Sequence, residues 1–310
     1  MIFNMKNLFI FFLTLLISYA MLSLSINFLS KYLVDLPNSR SSHIKKKPRG
    51  GGFIFVFNSI FISIINLDIS LLLSIPLAFV GLIDDKINLS SKIRFFSQIS
   101  TIFCILLIVG VPAYFAIIPG YFIIPFLILF GVSLVNFSNF MDGIDGLVAG
   151  CFCVIFAMAS LSLDNSYIPI ASSLLAFLFF NWEPSKLFMG DIGSTFLGSI
   201  FFTVLIKSKN IEEFFSFLMI SSPLMFDAFT CVIRRYLKGK DIFSPHRDHL
   251  YQRLCDNNIS HSMVSLIYIL PTIIISLTFL IYGIKACFIT TLFSMILGIL
   301  IDKKFAIKFI

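Results

Sequence analysis

Charge is scarce in this chain: Asp, Glu, Lys and Arg make up 13% of its 310 residues, against 58% apolar ones. So little polar surface excludes a soluble globular domain, and a mean hydropathy of +0.99 points to a polytopic membrane protein. Low-complexity linkers are absent, so a single integral-membrane domain over residues 1–310 is expected. No GxGxxG nucleotide fingerprint and no solenoid repeat occur. The six cysteines, at 104, 151, 153, 231, 255 and 287, have no metal-ligand spacing and read as small core residues. No small-x-small cleavage site follows the first apolar run, Leu8 to Leu29, which exceeds the ~7–15 residues of a signal-peptide core and is expected to remain as a span. The net charge of +7 gives no support for nucleic acid as a partner, because Lys and Arg in such a chain record topology and anionic membrane lipids.

What is abundant is apolar sequence in long runs. Measured against a span of ~20 residues, eleven candidate helices appear. They cover about 7–29, 51–66, 69–83, 94–112, 120–137, 146–163, 167–180, 192–206, 212–233, 262–282 and 284–301. Alternation then puts loops 31–50, 84–93, 138–145, 181–191 and 234–261 and the tail from 302 on one side. That side carries 19 of the 23 Lys and Arg, an excess that marks it as cytoplasmic, with the N-terminus outside and the C-terminus inside.

The same side gathers the polar clusters. Asn139-Phe140-Met141-Asp142-Gly143-Ile144-Asp145-Gly146 sets two acids, an amide and glycines between apolar runs, where charge is costly and usually functional. A helical turn would aim Asn139, Asp142 and Asp145 one way; the glycines argue instead for a tight loop with Asp145 as a cap of the next helix. Either arrangement suits a hard cation or a phosphate. The loop from Lys31 to Gly52 holds Asp35, Asn38, Arg40 and His43, which a basic anchor does not need, while Lys45, Lys46 and Lys47 read as that anchor. Its Arg49-Gly50-Gly51-Gly52 could present a guanidinium and backbone N–H groups to an anion. Asp84 and Asp85 repel each other unless a cation neutralises them. Asp191 enters an apolar run between two glycines, after Lys186, with a capping role as its bland reading. The longest polar segment, Arg234–Asn258, offers His246, Arg247 and His249, and its bland reading is a solvated basic helix. Asp227, inside a span, reads equally as a buried packing acid or as part of the site.

Five ordered motifs carry a resemblance. DLPNSRSSH…PRGGG, GLIDD, NFSNFMDGIDGL, FMGDIGS and the loop around His249, from about Asp35 to Leu254, resemble the polyprenyl-phosphate N-acetylhexosamine-1-phosphate transferases, bacterial glycosyltransferase family 4. The resemblance implies an all-α integral-membrane bundle of about 10–11 transmembrane helices with a cytoplasmic-facing active-site cleft in the bacterial inner membrane. It implies transfer of a sugar 1-phosphate from a UDP-N-acetylamino sugar to undecaprenyl phosphate, releasing UMP, with Mg²⁺ or Mn²⁺ as cofactor. Matched by motif, Asp191 is the expected metal ligand. Asp84 and Asp85 stand near the lipid phosphate as metal ligands or proton acceptor, and Asn139, Asp142 and Asp145 line the diphosphate. Asp35, Asn38, Arg40, His43, Arg49, Lys186, His246 and His249 complete the expected substrate contacts, and a homodimer is left open.

Tyr251-Gln252 replaces two histidines of the family's His-x-His-His loop, as in the subgroup that uses 6-deoxy amino sugars for O-antigen or capsule. The muramoyl-pentapeptide branch, with three consecutive histidines, fits less well. A transporter would show acids at mid-membrane and related halves; here the acids cluster at one set of helix ends. A CDP-alcohol phosphotransferase would follow Asp-Gly with Ala-Arg after two residues, a pattern missing after Gly146.

Overall fold

The computed structural model describes residues 5–37, 46–66, 68–242, 244 and 246–309. All eleven apolar runs are helical. α1 (Met5–Tyr32) is followed by a two-residue hairpin, β1 (Val34–Asp35) and β2 (Lys47–Pro48), then α2 (Phe53–Asn66). A 3-10 turn over Ile69–Ser74 leads into α3 (Ile75–Ile87), with Pro76 in its first turn, where a missing N–H costs nothing. α4 (Ser91–Val109), α5 (Gly120–Phe140), α6 (Leu147–Ser162), α7 (Ile168–Asn181), α8 (Asp191–Ile206) and α9 (Ile211–Leu237) follow. The short α10 (Leu250–Asp256) and long α11 (His261–Phe305) end the chain.

α1, α4, α5, α9 and α11 are long and apolar enough to cross a membrane. The shorter helices lie inside. α8 is apolar all round, and every residue from Ile192 to Ile206 is buried, so it forms the centre of the bundle. Large side chains of α1, α4 and α5, such as Leu24, Phe96, Leu107 and Phe122, face outward, as a lipid environment requires. Buried hydroxyls and amides join helices where apolar packing gives no directional preference: Asn58 of α2 donates to Ser18 of α1 (2.8 Å) and Ser173 of α7 (2.7 Å).

α11 is two spans, not one. A straight helix of 45 residues would run about 68 Å, yet Asn257, just before it, donates to the carbonyl of Phe305 at its far end (2.9 Å). The reversal falls at Gly283, whose φ of +76° and ψ of −169° break the helix, matching the break expected between 282 and 284.

The alternation of spans is also present. Helix ends at one pole are tied by Lys207 to Asp68 (2.7 Å), Asn66 to Ser166 (2.8 Å) and Asn7 to Asn165 (3.0 Å). The motif-bearing segments meet at the other pole. The architecture is an all-α polytopic membrane bundle.

Candidate active site

Two adjacent acids end α3, and they point to different partners. Asp85 turns inward, its side chain fully out of solvent. Its oxygens accept from the backbone N–H groups of Asp191 (2.9 Å) and Ile192 (3.3 Å). It therefore caps α8 from a neighbouring helix, satisfying two orphan donors at the positive end of that helix's dipole. Arg49, just after β2, pairs with Asp85 and lies 3.6 Å from Asp35 of β1. The approach depends on Gly190, which has φ +77° and where a Cβ would sit 2.5 Å from Asp85 Oδ2.

Asp84 borders the cleft. Its Oδ1 accepts from the Leu89 N–H (2.5 Å) and its Oδ2 from Arg94 Nη1 (3.1 Å). The same Arg94 nitrogen lies 3.9 Å from Asp191 Oδ2. The bland reading of Asp191 as a cap does not hold: Gly190 occupies the N-cap position, and the Asp191 carboxylate, 25% exposed, stands within reach of Asp84 and Asn139.

Between α5 and α6 the chain makes the tight loop that its glycines favour. Asp145 is not the cap of α6, however. Gly146, at φ +79°, holds that position, and its N–H donates to Asn181 Oδ1 (3.0 Å). Asp145 reaches across the loop instead, accepting from Ser185 N (3.1 Å) and Ser185 Oγ (2.7 Å), with Lys47 Nζ at 3.7 Å and His261 Nδ1 at 3.6 Å. Burial works to raise this carboxyl, but the neighbouring His261, the hydrogen bonds from Ser185 and the charge of Lys47 outweigh it and hold it below the ordinary value. A folded-state pKa below the unfolded one means stabilisation present above about pH 4 and lost as pH falls through the folded value. Asp145→Asn should therefore destabilise the protein at pH 7 by about 1–3 kcal/mol and flatten the acid limb of stability against pH. Thermal unfolding of purified protein between pH 3 and about pH 7 reads both; an unchanged acid limb would remove Asp145 from this role.

Asp142, three residues earlier, has no such support. Its carboxyl is pushed up to about 7, first by burial and then by the negative charge of Asp85, with Asp145 and Asp35 adding to the effect and Arg49 opposing it. Asp84 and Asp191 thus form an acidic cleft in which Arg94 straddles both carboxylates, with Asp142 near Asp85 and Arg49 committed to Asp85. That charge imbalance suits a hard divalent cation. Among the described residues no third carboxylate closes a cage around Asp84 and Asp191. Mg²⁺ does not need one, because it commonly takes one or two carboxylates and completes its shell with water and substrate phosphate oxygens.

Other sequence-based expectations change. The N–H groups of Gly51 and Gly52 are spent on the carbonyls of Phe188 and Met189 (2.9 Å each), so the glycine run packs the hairpin onto the 182–190 loop and is not an anion nest. Lys47 is more than an anchor: it donates to Ser185 Oγ (2.7 Å) and lies over the Phe188 ring. Lys186 is exposed. Asn38, Arg40 and His43 lie outside the described residues. Asp227 is a helix-capping acid of α9 that accepts from Leu250 N (2.8 Å), Tyr251 N (3.1 Å) and Tyr268 Oη (2.8 Å), thereby fixing the start of α10. From α10, Tyr251 Oη donates to the Phe140 carbonyl (2.9 Å) and fills the space where a Cβ on Gly143 would stand. His249 packs its ring against Phe140 but is buried, and its ring stacks on that of His246. Arg94 and His261 were not singled out from the sequence; a basic residue, with Lys92, in the first turn of an apolar helix was the available signal for Arg94.

Comparison with known proteins agrees with this geometry. Residues 68–209 match the model of glycosyl transferase family 4. The chain is 32% identical over 272 residues to the "probable undecaprenyl-phosphate N-acetylglucosaminyl 1-phosphate transferase" of Bacillus subtilis (strain 168), covering 79% of this chain and 76% of that protein. It is similar to the undecaprenyl-phosphate alpha-N-acetylglucosaminyl 1-phosphate transferases of Escherichia coli K12 (30% identity, 71% and 68% covered) and Thermotoga maritima (31%, 71% and 73%). Similarity of that extent, together with the meeting of four separated motifs at one pole of the bundle, settles the kinship that the motifs implied: the chain belongs to glycosyl transferase family 4.

Proposed function

We propose that this protein transfers an N-acetylamino-sugar 1-phosphate from a UDP-sugar to undecaprenyl phosphate, giving the undecaprenyl-diphospho-sugar and UMP. The observation that carries the reading is the pair Asp84 and Asp191 under one guanidinium, Arg94, with Asn139 beside Asp191 at the ends of membrane helices. A lipid acceptor with its phosphate at headgroup level requires a polar site at that depth, and the relatives' names specify undecaprenyl phosphate for those proteins.

Phosphoryl transfer needs positioning and charge neutralisation more than covalent help. A phosphate oxygen of the lipid attacks the sugar-bearing phosphorus of the UDP-sugar. The new P–O bond forms as the bond to the UMP oxygen breaks, and UMP leaves as the phosphate monoester. Asp84 and Asp191 would hold Mg²⁺, which supplies charge neutralisation at the phosphate oxygens when bound. Arg94 offers a second positive group at the same place. Asp142 and Asn139 border the nucleotide-sugar end, and Arg49 keeps Asp85 and α8 in register. His246 and His249 stand apart from this assignment, since their rings turn toward α9. The basic excess supports a cytoplasmic placement of this pole, where UDP-sugars are made. Tyr251-Gln252 points to an O-antigen or capsule sugar of the 6-deoxy type.

Membranes containing the protein, given labelled UDP-sugars and undecaprenyl phosphate, should form lipid-linked label and one UMP per product. EDTA should stop the reaction and Mg²⁺ restore it. Label that reaches lipid without UMP release, or turnover indifferent to EDTA, would overturn the proposal.

A further inference from the structure

One cluster of metal-binding side chains lies outside the acidic cleft. Cys231 belongs to the last third of α9, and His246 and His249 to the segment that leads into α10. One donor atom from each, a thiol and two imidazole nitrogens, falls within 4.8 Å of the others. The two imidazole rings stack with centroids 5.0 Å apart. Cys231 and His249 are 2% and 3% exposed.

His249 stands at the head of α10, where its side chain faces the Gln252 backbone N–H, and its buried Nδ1 lies 3.8 Å from Asp227 Oδ1. His246 is arranged differently: its Nδ1 accepts from the Asp248 N–H (3.2 Å), which fixes its tautomer and leaves Nε2 as the outward nitrogen. We propose that Cys231, His246 and His249 bind a borderline-soft transition-metal ion, Zn²⁺ by chemistry, at a second site independent of the acidic cleft.

Ligand type separates the two sites. A thiolate with two imidazoles suits Zn²⁺ and not Mg²⁺, which takes oxygen donors. Three protein ligands leave a fourth position for water. Binding exchanges the thiol proton for the metal, so one proton is released per ion. His246 is ready for this role, since burial, the neighbouring His249 and Arg235 lower its pKa to about 4 and keep it neutral. A cavity between α9 and the two arms of α11 reaches Cys231, with Asp227 and Asp248 also on its wall. The ion would pin the 246–249 segment to α9, and through α10 would hold Tyr251 against the loop that carries Asp142. Sequence spacing conceals the site, because fourteen residues separate Cys231 from His246 and fit no familiar ligand pattern.

The test uses the full-length protein in detergent, stripped with a chelator and titrated with Co²⁺ in excess Mg²⁺. The expected result is one Co²⁺ per chain, a thiolate-to-cobalt charge-transfer band, and displacement of cobalt by Zn²⁺. The band should vanish in Cys231→Ser. His246→Gln should keep the band but weaken binding beyond the roughly 10–100-fold that outer-shell losses cause. Should Cys231→Ser fail to fold, His246→Gln, which alters a half-exposed ring, decides by affinity alone. A cobalt complex without a thiolate band, a band that survives Cys231→Ser, removal of cobalt by Mg²⁺, or no retained cobalt would each overturn the site.

Discussion

Asp191→Asn should abolish turnover by roughly 10²–10³-fold or more while leaving the protein folded. The substitution preserves shape and removes one charge from the cleft. α8 does not lose its cap, because the cap comes from Asp85 to the backbone N–H groups of Asp191 and Ile192, which an asparagine retains. Asp84 and Asp85 would then feel less like-charge repulsion, so thermal stability without added Mg²⁺ should hold or rise slightly. What disappears is the carboxylate that faces Asp84 and Arg94, and with it the stabilisation that Mg²⁺ adds by binding the native state. Thermal unfolding with and without Mg²⁺, run beside the lipid-product assay, separates the two effects. Full activity in the variant would remove Asp191 from the metal site.

Asp85→Asn makes the contrast. That carboxylate has no solvent exposure and is engaged by Arg49 and by two backbone N–H groups. Its neutralisation takes the nearest negative charge from the half-buried Arg49 guanidinium and weakens the cap of α8, so activity and stability should fall together. Two acids adjacent in sequence thus divide into one that faces Arg94 and Asp191 and one that holds the frame.

That division was not readable from the sequence. The spans were legible because apolar runs of sufficient length admit few alternatives, and even the break at Gly283 could be placed. The pole at which the acids gather was legible because each motif falls at a helix end of the same parity. Which member of each pair works was not, because the answer lies in contacts across long stretches of chain. Asp145 and Asp142 share one motif, yet Ser185 and His261 engage the first and leave the second to the cleft. Glycine runs misled in the same way. Gly51 and Gly52 looked like an anion nest, but their N–H groups are consumed by Phe188 and Met189. Asp227 became intelligible once α10 was seen to begin on its carboxylate.

The glycines give the other large effect. At Gly52 a Cβ would fall 2.2 Å from the Cα and 2.5 Å from the N of Gly193, and at Gly81 it would fall 2.5 Å from the Asp191 carbonyl oxygen. These are backbone atoms, which cannot step aside as a side-chain tip can. The starts of α2 and α8 and the end of α3 therefore touch main chain to main chain, and that closeness brings Asp85 within reach of the α8 N-terminus. Gly52→Ala must push α2 from α8, at a cost at or above the upper end of the ~1–3 kcal/mol typical of overpacking, and the Asp85 cap should open with it. Gly298→Ala is the matched control, since nothing lies within 4 Å of its Cβ position and an alanine in that helical arm should be neutral or stabilising. Thermal unfolding in detergent should place Gly52→Ala well below the parent and Gly298→Ala at or above it, with lipid-product formation lost in the former and kept in the latter. Equal unfolding temperatures for the two variants would mean that the α2–α8 contact yields, and that the acids are held in place by something other than close backbone packing.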